Sequence, residues 1–406
     1  MVYVISVSVF TSVILTLVAL LVAIQARVSS AGVKAVTIND DTDNPLITPS
    51  GKSLLSVLVD QGILLPSACG GKGTCGKCKC HVDQGAGPIL PTELAHLNRA
   101  ERKGKIRLAC QLKVKDDIWI HLPPEIFSIK KFHATVVTND NVASFIKELV
   151  LQLDSDELLN FRAGAYMQID IPEYQTSFSD FHVSERFKDV WTRFNLFQLK
   201  AKADEPMFRA YSLANPPAEK NLLRFTIRIA TPPPEEPDVP PGIGSSYLFN
   251  LKPGNRVTLS GPYGDFFVRN TDREMCFIGG GAGMAPMRSH IFNQLLEIGT
   301  HRRITFWYGA RSLQELFYHD EFKSLESRFS NFSYHVVLSE PQSDDTWTDL
   351  IGFIHQCVLD HYLAGHDDPT EIEYYLCGPP LMIRAVNQML YDLGVEPDMI
   401  AFDDFG

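Results

Sequence analysis

Four cysteines constrain this chain more than any other feature. Three close a glycine-rich loop, Cys69-Gly-Gly-Lys-Gly-Thr-Cys75-Gly-Lys-Cys78, and a fourth, Cys110, follows later. Three close thiolates plus one remote one is the spacing that holds a [2Fe–2S] cluster. The glycines have a physical role, because a backbone that wraps a small cluster needs unusual dihedrals and must bring N–H groups to the sulfurs. The first gap has one residue more than the plant-type C-x4-C-x2-C pattern, so the loop is a variant. A disulfide framework belongs to small secreted chains, and this one has 406 residues with only eight cysteines. A structural zinc site more often shows two C-x2-C pairs, and here there is one. Cys80, just past the loop, reads as a strand residue rather than a fifth ligand.

The formal charge of -11 argues against nucleic acid as a partner and against broad adhesion to anionic lipid. Thiolates that hold a cluster suit a reducing compartment. No HExxH, EF-hand or P-loop pattern is present, and the twelve histidines are scattered.

From Met1 to Ala26 no residue is charged. At 1.5 Å per residue such a run reaches about 39 Å as a helix, against a hydrocarbon core of about 30 Å. One transmembrane helix over 1–26 is therefore expected. A signal peptide would want a basic start and a shorter apolar core. Arg27 and Lys34 follow the span, so the remainder is expected on the cytoplasmic side.

Beyond the span the pattern divides the chain. Residues 33–126 hold the cysteines among short strands, with helices expected at 54–61 and 92–98, the latter capped by Thr92. Residues 130–269 carry six short strands with turn signals, a barrel pattern. They are interrupted between Pro172 and Pro206 by an aromatic, charged insertion to which the sequence assigns no chemistry. Residues 273–406 alternate strand and helix, the pattern of a doubly wound parallel sheet.

Two constellations carry chemistry in the second half. Arg209-Ala-Tyr211-Ser212 offers a guanidinium for phosphate, a ring that can lie on an isoalloxazine and a hydroxyl for a flavin nitrogen. Gly244-Ser245-Ser246 reads as a helix start with free N–H groups, or as an ordinary serine cap, and Arg228 is a further candidate. Gly279-Gly280-Gly281-Ala282-Gly283 follows a strand and opens a helix, so its backbone can approach a pyrophosphate. Cys377-Gly378-Pro-Pro ends the last strand expected, with a plain buried cysteine as the alternative for Cys377.

These motifs in this order resemble the ferredoxin–NADP reductase superfamily. The resemblance implies FAD at Arg209, Tyr211, Ser212 and the 244–246 turn, with Arg228 lining it, and NADH between the 279–283 loop and Cys377-Gly378. It also implies a C-terminal aromatic over the flavin, for which Phe405 is the candidate. Cys377, Ser212 and Phe405 then flank the reacting rings. Arg311, in a segment similar to the superfamily's adenosine-side loop, leaves NADPH conceivable.

Over nearly its whole length the chain is similar to the F-subunit family of sodium-translocating NADH:quinone oxidoreductases. The similarity is carried by the cysteine loop, Pro91-Thr-Glu-Leu94, Phe145-Ile-Lys-Glu-Leu149, Arg228-Ile-Ala-Thr-Pro-Pro-Pro234, the glycine loop through His290 and the Asp-Asp-Phe405-Gly ending. It implies a bacterial inner-membrane complex with five other subunits, A to E, ubiquinone as final acceptor and sodium transport. None of these is readable from the residues. The other reading is a membrane-anchored NADH-dependent reductase component of an oxygenase, which shares the three modules.

Overall fold

The computed structural model describes residues 10–20, 32–154, 158–233, 235–343 and 345–404. It separates into two compact units, Met1–Ile129 and Lys130–Gly406.

In the first unit, residues 10–20 form helix α1, whose Phe10, Val13, Leu15, Leu17 and Leu20 are exposed. The rest of the span expected over 1–26 lies outside the described residues. Among the described residues no helix is long and apolar enough to cross a membrane.

Strands β1 (Val33–Ile38), β2 (Leu46–Pro49), β3 (Lys79–Gln84), β4 (Ile106–Leu108) and β5 (Ile118–His121) form one mixed sheet in the order β2-β1-β5-β3-β4, with β1 and β5 parallel. Helix α2 (Leu54–Asp60) starts at Ser53, whose hydroxyl accepts from the Ser56 N–H at 3.2 Å. It buries Leu54, Leu55, Val57 and Leu58, the i, i+1, i+3, i+4 stripe of a one-faced helix.

The single helix expected over 92–98 is two short ones, α3 (Pro91–Leu94) and α4 (Arg99–Lys103). Asn98 causes the break. Its side chain accepts from the Glu101 N–H at 2.9 Å, and Glu101 accepts from the Asn98 N–H at 2.8 Å. This reciprocal box starts a new helix where the old one was expected to continue.

The second unit holds a barrel and a sheet. Its first strands are β6 (Lys130–Ala143), β7 (Ile146–Leu153), β8 (Tyr166–Ile171), β9 (Tyr174–Ser177), β10 (Lys200–Ala203), β11 (Met207–Ser212), β12 (Leu222–Arg228) and β13 (Arg256–Tyr263). Six of them pair antiparallel in the order β11-β8-β13-β6-β7-β12. The bridge Leu213–Phe225 closes the ring. Alternate residues fill it, among them Leu149, Leu151, Leu223, Phe225, Ile227 and Leu259, as the period of two in a strand requires.

The insertion is ordered. β9 and β10 pair as a ribbon, and α5 (Glu185–Arg193) between them carries Trp191, which is fully buried. The indole lies near Phe178, Phe181, Phe197 and Phe249, and its N–H donates to the Ser144 carbonyl at 2.6 Å. Phe249 belongs to helix α6 (Ile243–Asn250), so the insertion buttresses that helix. Trp191→Ala is expected to cost about 3–5 kcal/mol of stability in this unit, read as a lowered thermal midpoint.

The sheet comprises β14 (Met275–Gly280), β15 (Ile304–Ala310), β16 (Phe332–Leu338), β17 (Glu373–Gly378) and β18 (Ile400–Asp404), all parallel, in the order β16-β15-β14-β17-β18. Helices α7 (Met284–Phe292), α8 (His319–Arg328), α9 (Ile354–His361) and α10 (Pro380–Asp392) connect or flank the strands. Every residue of β14 and β17 is buried, as central parallel strands require. The strand order reverses between β14 and β17, which is where ligands bind such sheets, beyond the carboxyl ends of the strands. Strand β18 was not foreseen: its five residues follow the last helix, where the resemblance implied only an aromatic over the flavin.

Candidate functional site

In the first unit, Lys79 pairs with Leu108, and the Ala109 N–H donates to the Cys78 carbonyl at 2.9 Å. The β3–β4 ladder therefore delivers remote Cys110 to Cys78, and the two thiols interact. Within the loop, Cys69 and Cys75 approach to 3.4 Å between sulfurs. The turns that fold the loop back run through Gly70, Gly71, Gly73 and Gly76, all at positive φ.

The four sulfurs thus form two pairs. Among the described residues no three of them lie mutually within 4.8 Å. A tetrahedral zinc would draw all four into one knot, whereas a two-iron cluster takes two thiolates at each iron. The pairing fits the cluster.

Electrostatics repeats the pairing. The hydrogen bond from Cys75 pulls the Cys69 thiol down, and neighbouring Cys78 pulls Cys110 down. Cys75 and Cys78 are pushed up by the same contacts and by burial. Backbone N–H groups of Thr74 and Cys75 also point at the Cys69 sulfur. Thr92, expected as a helix cap, instead donates to the Gln111 side chain at 3.0 Å, and Gln111 donates to the Cys110 sulfur at 3.6 Å. Cys80 turns away, its thiol on the Arg107 carbonyl at 3.9 Å and pushed up to about 12 by burial.

A buried ion pair supports this arrangement. Arg107 on β4 contacts Glu93 at 2.6 Å, and Glu93 is fully buried. The same carboxylate accepts from the N–H groups of Leu90 and Leu108, while Arg107 donates to the carbonyls of Ala86, Gly87 and Pro88. Burial pushes the Glu93 carboxyl up, but Arg107 and the two N–H groups outweigh it and hold it below the usual range. Its contribution to stability is therefore complete above the ordinary glutamate value of about 4.3. It is lost as pH falls through the lowered folded-state value. Glu93→Ala is expected to cost about 3–5 kcal/mol, because Arg107 is left charged and buried. Thermal unfolding at pH 7 and in acid below about pH 4 measures it, and the deficit should shrink in acid.

In the second unit the flavin candidates of the barrel converge. A Cβ on Gly244 would lie 2.8 Å from the Arg209 Cγ and 3.0 Å from the Tyr211 hydroxyl, so Arg209, Tyr211 and the start of α6 touch. No side chain caps α6, so its first-turn N–H groups are left to an incoming anion. Ser245 is occupied elsewhere, accepting from Ala230 and donating to Gly242, both at 3.1 Å, and Ser246 is fully buried. The far end of α6 is held by Asn139 on the carbonyls of Leu248 and Leu251, and by buried Lys147 on that of Phe249 at 2.9 Å. Burial pushes the Lys147 ammonium down to about 8. Arg228 ends β12, its guanidinium pushed down by burial and by neighbouring Arg311.

The nicotinamide candidates converge at the switch point. The 281–283 turn leaves β14 directly over β17, where a Cβ on Gly283 would lie 2.2 Å from the Cys377 carbonyl oxygen. Thr226 of the barrel donates to the Ala282 carbonyl at 2.9 Å, and Tyr308 donates to that of Gly281 at 3.2 Å. Arg288 and Ser289 of α7 donate to the carbonyls of Ala214 and Asn215 just past Ser212. Barrel and sheet are therefore stitched together at these loops.

Ser212 donates to the Asp403 carboxylate at 3.1 Å, and Asp403 pairs in register with Cys377. Three chain segments thus meet at one point. Asp403 escaped the sequence reading, although a strand-forming run, Ile400-Ala-Phe, after a final helix was a signal for β18. Phe405 lies outside the described residues. A cavity of about 390 Å³, bounded by Asn160, Arg162, Tyr263 and Phe267, opens near the same end of the barrel but touches none of the foreseen residues.

Comparison with known proteins gives three domain families. Residues 38–115 match the 2Fe-2S iron-sulfur cluster binding domain, 193–268 the oxidoreductase FAD-binding domain and 277–388 the oxidoreductase NAD-binding domain. Among curated relatives, the F subunit of the Na(+)-translocating NADH-quinone reductase of Psychrobacter arcticus is 51% identical over 401 residues, covering 98% of both chains. That of Serratia proteamaculans is 50% identical over 403 residues, covering 99% of both. Among solved structures, an Amycolatopsis cytochrome P450 reductase, GcoB, is 23% identical with a TM-score of 0.63, covering 92% of this chain and 98% of that one. A ferredoxin reductase in carbazole 1,9a-dioxygenase is 27% identical with a TM-score of 0.58, covering 92% and 99%. These two share the fold.

Proposed function

The chain belongs to the family of Na(+)-translocating NADH-quinone reductase F subunits, and from that premise we propose the roles of its residues. It is an oxidoreductase with 2Fe-2S, FAD-binding and NAD-binding domains. When bound, the flavin accepts a hydride from NADH and releases electrons singly to the iron–sulfur cluster, which takes one at a time.

Cys69, Cys75, Cys78 and Cys110 would hold the iron–sulfur cluster. Arg209 and the open first turn of α6, at Gly244, Ser245 and Ser246, bind the FAD diphosphate, with Arg228 alongside. Tyr211 supplies an aromatic face. Ser212, whose hydroxyl donates to Asp403, stands beside the flavin ring. The backbone of Gly279 to Gly283 and of Cys377-Gly378 receives the nicotinamide dinucleotide. The observation that carries this reading is the meeting of Ser212, Asp403, Cys377 and the glycine loop at the sheet's switch point.

The chain is part of a membrane-bound complex by family. We infer that residues 1–26 anchor it in a bacterial inner membrane with both units on the cytoplasmic side. The uncharged run and the exposed apolar residues of α1 support this. Electrons would leave through the cluster to the five other subunits of the complex, reaching ubiquinone with sodium transport.

The test is anaerobic addition of NADH to the full chain with its cofactors in place. Rapid flavin bleaching followed by the paramagnetic resonance signal of a reduced [2Fe–2S] cluster is expected. A flavin that stays oxidised under NADH would overturn the assignment.

A further inference from the structure

The cluster-binding unit carries a second constellation of metal-ligand type, away from the four cysteines. His81 on β3 stands opposite His121 on β5 in the antiparallel ladder, and their ring centroids are 5.7 Å apart. A shift of register between Val82 and Gln84 falls at Asp83, and such irregularities re-aim side chains. The Asp83 carboxylate is 2.8 Å from His121 Nε2 and 3.7 Å from His81 Nδ1. One ligand atom from each of the three residues lies within 4.8 Å of the other two.

A fourth carboxylate is held nearby. Asp40 Oδ1 is 3.8 Å from His121 Nε2. Its turn is pinned by Asn39, whose side chain both accepts from the Leu122 N–H at 2.8 Å and donates to the Leu122 carbonyl at 3.1 Å. Three chain segments therefore present two imidazoles and two carboxylates to one point.

We propose that His81, Asp83 and His121 form a site for a divalent cation of zinc type, with Asp40 or water as the fourth ligand. Tetrahedral zinc binds nitrogen and oxygen at about 2.0–2.2 Å, which places neighbouring ligand atoms about 3.3–3.5 Å apart. The observed separations of 2.8 and 3.7 Å bracket that value, so side-chain adjustment alone closes the site. Two imidazoles with carboxylates suit zinc and its first-row neighbours better than magnesium or calcium, which prefer oxygen alone. The opposing feature is Lys105, whose ammonium is 3.7 Å from Asp83 Oδ1 and donates to the Asp83 carbonyl at 3.3 Å. That lysine is 59% exposed, so it can swing into solvent when a cation arrives. A bound cation would clip β3, the strand that continues from Cys78, to the central strand β5.

The experiment is calorimetric titration of zinc chloride into the chelator-treated full chain with iron, sulfide and flavin in place and counted. One equivalent is expected to bind. Affinity should fall at least about tenfold in His81→Ala and in His121→Ala, and rise in Lys105→Ala, where the competing ammonium is gone. Zinc should raise the thermal midpoint of the wild-type chain and leave that of His121→Ala unmoved. Absence of binding, or equal affinity across wild type, His121→Ala and Lys105→Ala, would overturn the proposal and leave an ion-paired surface triad.

Discussion

A Cys110→Ala chain is expected to lose the resonance signal of the reduced cluster entirely while NADH still bleaches its flavin. The geometry gives the reason. Cys110 and Cys78 form one sulfur pair, so removing Cys110 leaves one iron with a single protein thiolate. The neighbouring β4 strand keeps its own anchors, since Arg107 and the Leu108 N–H stay on Glu93. The residues proposed for NADH and flavin all belong to the other compact unit, Lys130–Gly406. Hydride uptake should therefore survive, and only the exit of electrons should fail. Cys80→Ala is the control. Cys80 faces the Arg107 carbonyl and is expected to leave the signal intact. A full cluster signal in Cys110→Ala, or its loss in Cys80→Ala, would reassign the ligand set.

Replacing Gly283 by alanine should slow NADH-dependent flavin bleaching by about a hundredfold. The backbone of Gly283 has a φ of -61°, which any residue adopts, so strain is not the cause. The cause is space. A Cβ there would lie 2.2 Å from the carbonyl oxygen and 2.4 Å from the carbonyl carbon of Cys377. Those are backbone atoms of a strand paired on both sides, by β14 and β18, and they cannot yield. The glycine loop must lift instead, and displacement of reacting groups by about 1 Å costs roughly that factor, or about 2.7 kcal/mol at 1.36 kcal/mol per decade. Chemical reduction of flavin and cluster by dithionite should be unchanged, which separates a misplaced nicotinamide from a damaged flavin site. Gly281→Ala gives the contrast. It meets no atom within 4 Å but sits at a φ of +56°. It should cost about 1 kcal/mol of stability through backbone strain rather than through a clash with Cys377.

Much of the site was legible because its signals are local. The cysteine loop compresses three candidate ligands into one turn-rich segment, and the 279–283 glycines lie between a buried strand and a helix. The barrel strands alternate cleanly, as Leu223, Phe225 and Ile227 show. Where two local signals competed, the reading went astray. Thr92 looked like a helix cap, yet Asn98 with Glu101 is the better box, and Thr92 was free to orient Gln111 toward the Cys110 sulfur. The insertion carried aromatic residues without a period, and only packing gave Trp191 its place behind α6.

What the sequence by itself determined is the order of the modules and the candidate groups within each, since spacing along the chain sets which groups share a loop. The tertiary structure decided which groups meet across the chain. It brought Cys110 to Cys78 through the β3–β4 ladder, brought Asp403 to Ser212 through β18, and set His121 opposite His81. Those meetings depend on strand order and register, which arise from long-range pairing and burial. No fixed interval in the sequence encodes them.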